Sequence, residues 1–343
     1  MSGISVGPFA GEAGEWDVFV RAQPGWTPFH LHAWRDVLRA AHGHELLLLA
    51  ARDAGGGLAG VLPLARVRTP LFGHFLVSMP FVSYGGPLGT PAAERALAEA
   101  AAAVAREEGA ALLELRARRP MATDLPVSHR KVTVLLDIPE GGSAALWRGL
   151  PSKLRSQVRR PQKEGVEVRF GADQLGPFFE VFARHMRDLG TPTQPRRFFE
   201  RIRDAFGDAA WFGCAWLGGA PVAGGAGFRW ADEFEITWAS SLREHNRLAP
   251  NMLLYWAFME RAADDGARVF NFGRCTPGAG THRFKHQWGS RDEVLWWYQF
   301  ARDARSGTPS PDDSAYAWGP RLWKRLPVPV ATALGPHIVR GIP

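Results

Sequence analysis

Apolar positions along the chain follow two spacings that change over in a fixed order. Helical spacing over residues 33–41 gives way to apolar strands over 45–51 and 60–66, with another near 77–84. An alanine-rich helix over 92–108 and a strand over 112–116 complete that half. The order then returns, with helices inside 176–206, strands over 211–217, 222–229 and 233–239, a helix over 251–265 and a short buried strand over 269–272. In the last helix, Leu254, Ala257, Phe258 and Ala262 share one face, with Asn251 as the expected N-cap and Gly266 as the stop.

The two halves agree in detail. GGGLAGVLPLAR (55–66) and GGAPVAGGAGFR (218–229) are each a tight turn entering an apolar strand. REEGAALLELRA (106–117) and ERAADDGARVFNFGR (260–274) are each a helix end, a glycine and a strand. Two copies of one α+β unit explain this most economically. The expected domains are residues 1–140, a basic helical connector over 141–170, a second domain over 171–303, and a linker and tail over 304–343. The connector is expected to be helical over 143–165, interrupted at Pro151 and Pro161, and it carries Lys153, Arg155, Arg159, Arg160 and Lys163. Residues 305–315, rich in Ser, Pro, Gly and Asp, read as a linker. In the tail, Trp318, Leu322, Trp323 and Leu326 alternate with Arg321, Lys324 and Arg325, a pattern suited to an anionic membrane surface or to docking on the protein's own body.

Composition narrows the class. The 343 residues exceed one ordinary domain, and 46% hydrophobic with 22% charged residues are globular proportions. Only Cys214 and Cys275 are present, so neither a disulfide framework nor a four-thiolate metal site can be built. The first residues lack the basic start and apolar core of a secretory signal, and a cytoplasmic protein is expected. The uncharged run over 69–93 is interrupted by Pro70, Pro80, Gly85, Gly86 and Pro87, which excludes a spanning helix. A net charge of +7 allows a polyanionic partner without choosing one.

Candidate chemistry concentrates between Arg243 and Gly289. Acyl transfer passes through a tetrahedral oxyanion, and a cation beside the carbonyl lowers that barrier. Lys285 is the candidate for this role, with Phe284 and Trp288 to exclude water and position the ester. An ordinary surface lysine with a salt-bridge partner is the competing reading. Arg274 follows a strand, where a ligand-facing group is expected, and can bind a phosphate or carboxylate bidentately. Arg243, Arg247 and Asn251 lie between a strand and a helix start, where backbone amides receive phosphate. That loop has no glycine, and Pro250 removes a donor, so the cradle is degenerate. Cys275 lacks an identifiable activating histidine. Glu233, Glu235, His245, His282 and His286 are not separated from one another as general base. His30, His32, His42 and His44 occur without a supporting acidic pattern, and no metal is expected.

Four stretches, SMPFVSYGGPLG (78–89), LPSKLRSQVRRPQKEG (150–165), the block from Asn251 through FNFGRC to GTHRFKHQWG (280–289), and LWKRLPVPVATALGPHIVRG (322–341), resemble the Fem-type (FemAB) transferases, specifically the branch associated with exosortase and PEP-CTERM sorting systems. The resemblance implies an α+β architecture of two tandem GNAT-like domains, each a mixed sheet flanked by helices. Better-known members transfer amino acids from aminoacyl-tRNA to peptidoglycan precursors and carry a phenylalanine and lysine pair near the reacting carbonyl, matched here by Phe284 and Lys285. What it implies is an acyl- or aminoacyltransferase acting on an amine or hydroxyl of an envelope, peptidoglycan or exopolysaccharide precursor. Acyl-CoA or aminoacyl-tRNA would be the anionic donor, and no tightly bound cofactor is implied. Acetyl-CoA-dependent N-acetylation of an amino sugar and a non-catalytic assembly module are the alternatives. Tyr84 is expected to face the acceptor, and residues 318–340 to make any peripheral contact with the inner membrane. Departures from the pattern are Pro161 within a helix, Cys275 in place of serine, and the lack of a heptad-patterned coiled-coil arm.

Overall fold

A computed structural model describes residues 3–70, 72–302 and 318–342. In chain order the elements are β1 (Ser5–Pro8), α1 (Ala13–Ala22), α2 (Trp34–His42), β2 (Glu45–Arg52), β3 (Leu58–Thr69), β4 (Gly73–Val77), β5 (Leu88–Gly89), α3 (Pro91–Glu107), β6 (Leu112–Ala117) and β7 (Val127–Ser128). There follow β8 (Val132–Asp137), α4 (Gly142–Gly149), α5 (Ser152–Lys163), β9 (Glu167–Phe170), α6 (Leu175–Leu189), α7 (Arg196–Phe206), β10 (Ala210–Leu217), β11 (Ala220–Trp230) and β12 (Glu233–Ser241). The last are α8 (Pro250–Asp264), β13 (Val269–Cys275), α9 (Gly280–His286), β14 (Arg291–Val294), β15 (Trp296–Ala301), α10 (Trp318–Trp323) and α11 (Val328–Val339).

These elements form two units. The first consists mainly of Met1–Lys131, the second mainly of Val132–Glu293. In the first, the sheet runs β1-β2-β3-β4-β6-β15-β7, with β5 also paired to β3. Its helix α3 begins at Thr90, whose hydroxyl accepts the Ala93 amide, with Pro91 at the first helical position. The alanines of that helix allow close approach to the sheet: a methyl group added at Gly60 of β3 would come within 2.8 Å of the Ala93 methyl.

In the second unit the sheet runs β14-β8-β13-β12-β11-β10-β9. Gly213 of β10 and Gly225 of β11 face each other across the strand pair, and both clear the ring of Phe258 from α8. Phe258 is fully buried, 4.8 Å from the ring of Phe170 and 5.5 Å from that of Phe234. The glycine-rich strand thus makes room for an aromatic plug.

Several expectations change in the structure. The units are not contiguous, because β8 pairs with β13 and β15 with β6, so each sheet takes a strand from beyond a simple midpoint cut. The strand expected over 77–84 is β4, which ends at Val77; Met79 and Phe81 then adopt positive φ, and the amides of Ser78, Gly85 and Gly86 donate to carbonyls of β6. Pro151 separates α4 from α5 as its spacing implies, but Pro161 lies inside α5, which continues to Lys163. One missing amide so close to a helix end costs little continuity. Helix α8 starts one residue before the expected position: Ala249 is its N-cap, and Asn251 lies within the first turn. The linker at 305–315 lies outside the described residues. In the tail, α10 and the start of α11 pack on the second unit, where the Arg187 guanidinium donates to the Leu326 carbonyl at 2.8 Å and Gly335 abuts Thr193. Among the described residues, no helix is long and apolar enough to cross a membrane.

Phe258→Ala removes the plug between two glycine-bearing strands that cannot fill the space. It should cost about 3–5 kcal/mol of stability, read as a lower urea midpoint by far-ultraviolet circular dichroism.

Candidate active site

In the second unit, β12 and β13 are parallel but pair only at Glu233 with Val269, Phe234 with Phe270, and Glu235 with Asn271. Beyond that point β13 is irregular against β8 as well, between Asn271 and Arg274, and Gly273 has φ +71°. Glycine suits that conformation, and a Cβ there would also crowd the Ile236 carbonyl at 3.2 Å. The strands therefore part, and the carbonyls of Gly273 and Arg274 are left without partners in β12.

Buried side chains hold the parting. The Asn271 carbonyl oxygen accepts from the Gly273 amide at 2.8 Å and from the Thr133 hydroxyl at 2.6 Å. Its amide nitrogen donates to Glu233 at 2.7 Å and to Glu235 at 3.3 Å. Thr237 donates to the other oxygen of Glu235 at 3.3 Å. Glu235 and Asn271 are fully buried, so these bonds satisfy groups that would otherwise be costly to desolvate.

Lys285 closes the parting from the other side. It lies on α9, only 6% exposed, and its ammonium donates to the carbonyls of Gly273 at 2.7 Å and Arg274 at 3.1 Å. Burial pulls its pKa down to about 8; the carboxylates of Glu235 and Asp292 oppose that shift and Arg274 adds to it. An ammonium carries three N–H donors. Two are taken by the carbonyls, and the third meets no acceptor among the described residues.

An aromatic wall adjoins the lysine. The Phe284 ring meets Tyr255 of α8 at 4.9 Å, and Tyr255 stacks on Phe272 at 5.7 Å. Trp288 is buried against Phe272, and its indole N–H finds no acceptor among the described residues. The Gln287 amide reaches the Met252 sulfur at 3.6 Å, which sets the first turn of α8 beside the end of α9. Asn251 shares a helix face with Tyr255 four residues on.

Lys285, Phe284, Trp288 and the backbone of Arg274 thus come together in the structure, with Asn251 one turn away along α8. Arg247 is exposed in a short 3₁₀ turn, Arg243–Leu248, that precedes α8. Tyr84 is different. It belongs to the first unit, is 1% exposed, and packs on Phe29 at 5.5 Å with the Arg118 guanidinium over its ring, so in that unit its ring has almost no solvent-facing surface. The Asn271 and Thr133 network escaped sequence reasoning because Thr133 is 138 residues from its partner. The one available signal was the polar Asn271 within an otherwise apolar strand.

The first unit has the same strand arrangement with a different filling. There β4 and β6 are parallel and pair over Phe75–Val77 and Leu112–Glu114. The repeat places Glu114 where the second unit has Asn271, and Arg116 where it has Gly273. Arg116 is 1% exposed, donates to Glu114 at 2.7 Å and to the Met79 and Val82 carbonyls, and lies 4.6 Å from the Trp297 ring centroid. The space opposite the parting is occupied by that side chain.

Residues 151–286 match the family described as acetyltransferase (GNAT) domain. A stretch of 79 residues is 32% identical to UDP-N-acetylmuramoylpentapeptide-lysine N(6)-alanyltransferase of Weissella viridescens; it makes up 22% of this chain and 24% of that enzyme, so the match spans about a quarter of the relative's length. Among solved structures, FemX superposes with a TM-score of 0.65 at 17% identity, covering 86% of this chain and 97% of that one. A tandem GNAT protein from the clavulanic acid biosynthesis pathway gives 0.55 at 15% identity, covering 90% and 99%. The structure of L-PGS from Bacillus licheniformis gives a TM-score of 0.56 at 12% identity, covering 96% and 97%. The chain therefore consists of two helix-flanked, mixed-sheet GNAT-like domains in tandem, the fold seen in FemX.

Proposed function

We propose that this protein is an acyltransferase that moves an acyl or aminoacyl group from an anionic activated donor to an amine or hydroxyl of an envelope precursor, peptidoglycan-related or exopolysaccharide. The observation that carries this reading is the buried ammonium of Lys285, fixed by two carbonyls with one N–H left over. In the reaction the acceptor's lone pair attacks the donor carbonyl, the oxygen gains negative charge, and the remaining Lys285 N–H stabilises it until the leaving group departs with the bonding electrons. The acceptor nitrogen or oxygen gives up its proton in the same sequence, and the departing group takes a proton up, directly or through water. Phe284 and Trp288 keep water from the reacting ester. Arg274, Arg247 and Asn251 bind the donor's anionic part, while Glu235 acts as the buried counter-charge that favours the protonated lysine.

The filled parting in the first unit supports placing the donor in the second. The resemblance to an alanyltransferase acting on a muramoylpentapeptide supports an aminoacyl donor, and the GNAT match over 151–286 supports acyl-CoA. The four resemblance blocks support the exosortase-associated branch. A cytoplasmic protein peripheral to the inner membrane fits the tail, where Leu322 is 54% and Leu334 47% exposed beside exposed Arg321, Lys324 and Arg325.

Donor class is tested by native mass spectrometry of the protein with acyl-CoA and, separately, with aminoacyl-tRNA. Arg274→Ala and Arg247→Ala should weaken whichever complex forms, and if neither donor binds, the reading fails. Lys285→Met should lower turnover on the order of 100-fold while donor affinity stays within a fewfold; unchanged turnover would remove Lys285 from the mechanism. Because the protonated lysine is the active form, turnover should fall as pH rises through about 8. Glu235→Gln removes a negative charge, so that fall should move to lower pH. Titration of the Lys285 side-chain carbon resonance reads the same displacement without any substrate.

A further inference from the structure

A cluster of metal-ligating side chains lies on the outer side of α9 and takes no part in the chemistry above. His282 and His286 are four residues apart and therefore share one helix face, with ring centroids 4.3 Å apart. From β14, Asp292 reaches back to both: one oxygen is 2.9 Å from the His282 Nε2, and the other is 2.8 Å from the His286 Nε2. One ligand atom from each of the three residues falls within 4.8 Å of the others. The side chains are 17%, 34% and 32% exposed, which leaves a path for an ion and room for water.

We propose that His282, His286 and Asp292 form a site for one zinc-class divalent cation that ties α9 to β14, with a solvent molecule as fourth ligand. Two imidazoles and a carboxylate are donors that zinc accepts readily, and three protein ligands with one open position is a recurrent zinc arrangement. Metal-to-ligand distances of about 2.0–2.2 Å in a tetrahedron need ligand atoms separated by roughly 3.3–3.6 Å; Oδ1 of Asp292 is at present 3.2 Å from the His282 Nε2 and 2.8 Å from the His286 Nε2.

The proton balance is straightforward. Without the ion, Nδ1 of His282 accepts the Gly278 amide at 3.3 Å, so its Nε2–H donates to Asp292. Binding exchanges that N–H for a nitrogen–metal bond: in each neutral ring the proton moves through solvent from Nε2 to Nδ1, and the Gly278 amide turns to water. Lys285 lies between the two histidines in sequence but on the buried side of the same helix, so a tie to β14 fixes the element that presents it.

The test uses the full chain and the metals alone. Freed of metal by chelation and titrated calorimetrically with Zn(II), the wild type should bind one equivalent, and His286→Ala and Asp292→Asn should each weaken that binding at least tenfold. With Co(II), the wild type should develop the visible bands of a tetrahedral nitrogen and oxygen site. No stoichiometric Zn(II) binding, equal binding by both variants, or a thiolate charge-transfer band implicating Cys275 would each overturn the assignment. Both variants alter half-exposed side chains, and circular dichroism confirms that they are folded before titration. None of these readouts depends on acyl transfer.

Discussion

The second unit is organised around the place where two parallel strands stop pairing. Once β12 and β13 part after Glu235 and Asn271, the backbone of the next residues has lost its partners on the β12 side inside a protein core, although Arg274 and Cys275 still pair with β8. Every such group needs another partner. Asn271 takes the Gly273 amide, and Lys285 takes the carbonyls of Gly273 and Arg274. Each solution creates a further demand. The Asn271 amide needs acceptors, which Glu233 and Glu235 supply, and the buried Glu235 carboxylate favours a cation nearby, which Lys285 supplies. Removing one member of such a cluster is costly, because its partner is left buried and unpaired.

The first unit shows the other solution to the same problem. Its β4 and β6 part in the same register, but the arginine at the glycine position turns inward and bonds to Glu114 and to the Met79 and Val82 carbonyls. The neighbouring Trp297 ring comes from β15, a strand contributed by residues far along the chain. One duplicated strand therefore carries two chemistries. Glycine with asparagine leaves backbone carbonyls for a lysine from another helix, whereas arginine with glutamate fills the space from within. A charged side chain as large as arginine is tolerated there because a carboxylate, two carbonyls and an aromatic face replace the water it gives up.

Much of the architecture was readable from local pattern. The hairpin turn before β11, the apolar face of α8 and the glycine stop at Gly266 are consequences of spacing and turn chemistry, and they appear where those rules put them. What was misread has equally specific causes. Asn251 looked like a cap because its side chain suits one, yet Ala249 takes a left-handed conformation and Pro250 starts the helix with a preset φ. The segment after Val77 looked like strand because it is apolar, yet its amides bond to β6 through a loop. Neither β8 nor α9 stood out, the first because its pairing partner lies more than a hundred residues away, the second because it is seven residues long and follows a glycine-rich turn.

By itself the sequence determined that there are two related α+β units, which helices and strands compose most of each, and that the residues near Lys285 carry the candidate chemistry. Those properties depend on neighbours within a few positions, where periodicity and turn preferences act. Tertiary structure decided what each of those residues touches. Lys285 meets carbonyls eleven and twelve residues earlier, Asn271 meets a threonine on a strand 138 residues earlier, and Asp292 returns to two histidines across a turn. Such partnerships depend on strand register and on where the sheet splits, and both are set by packing the whole core rather than by any local run of residues.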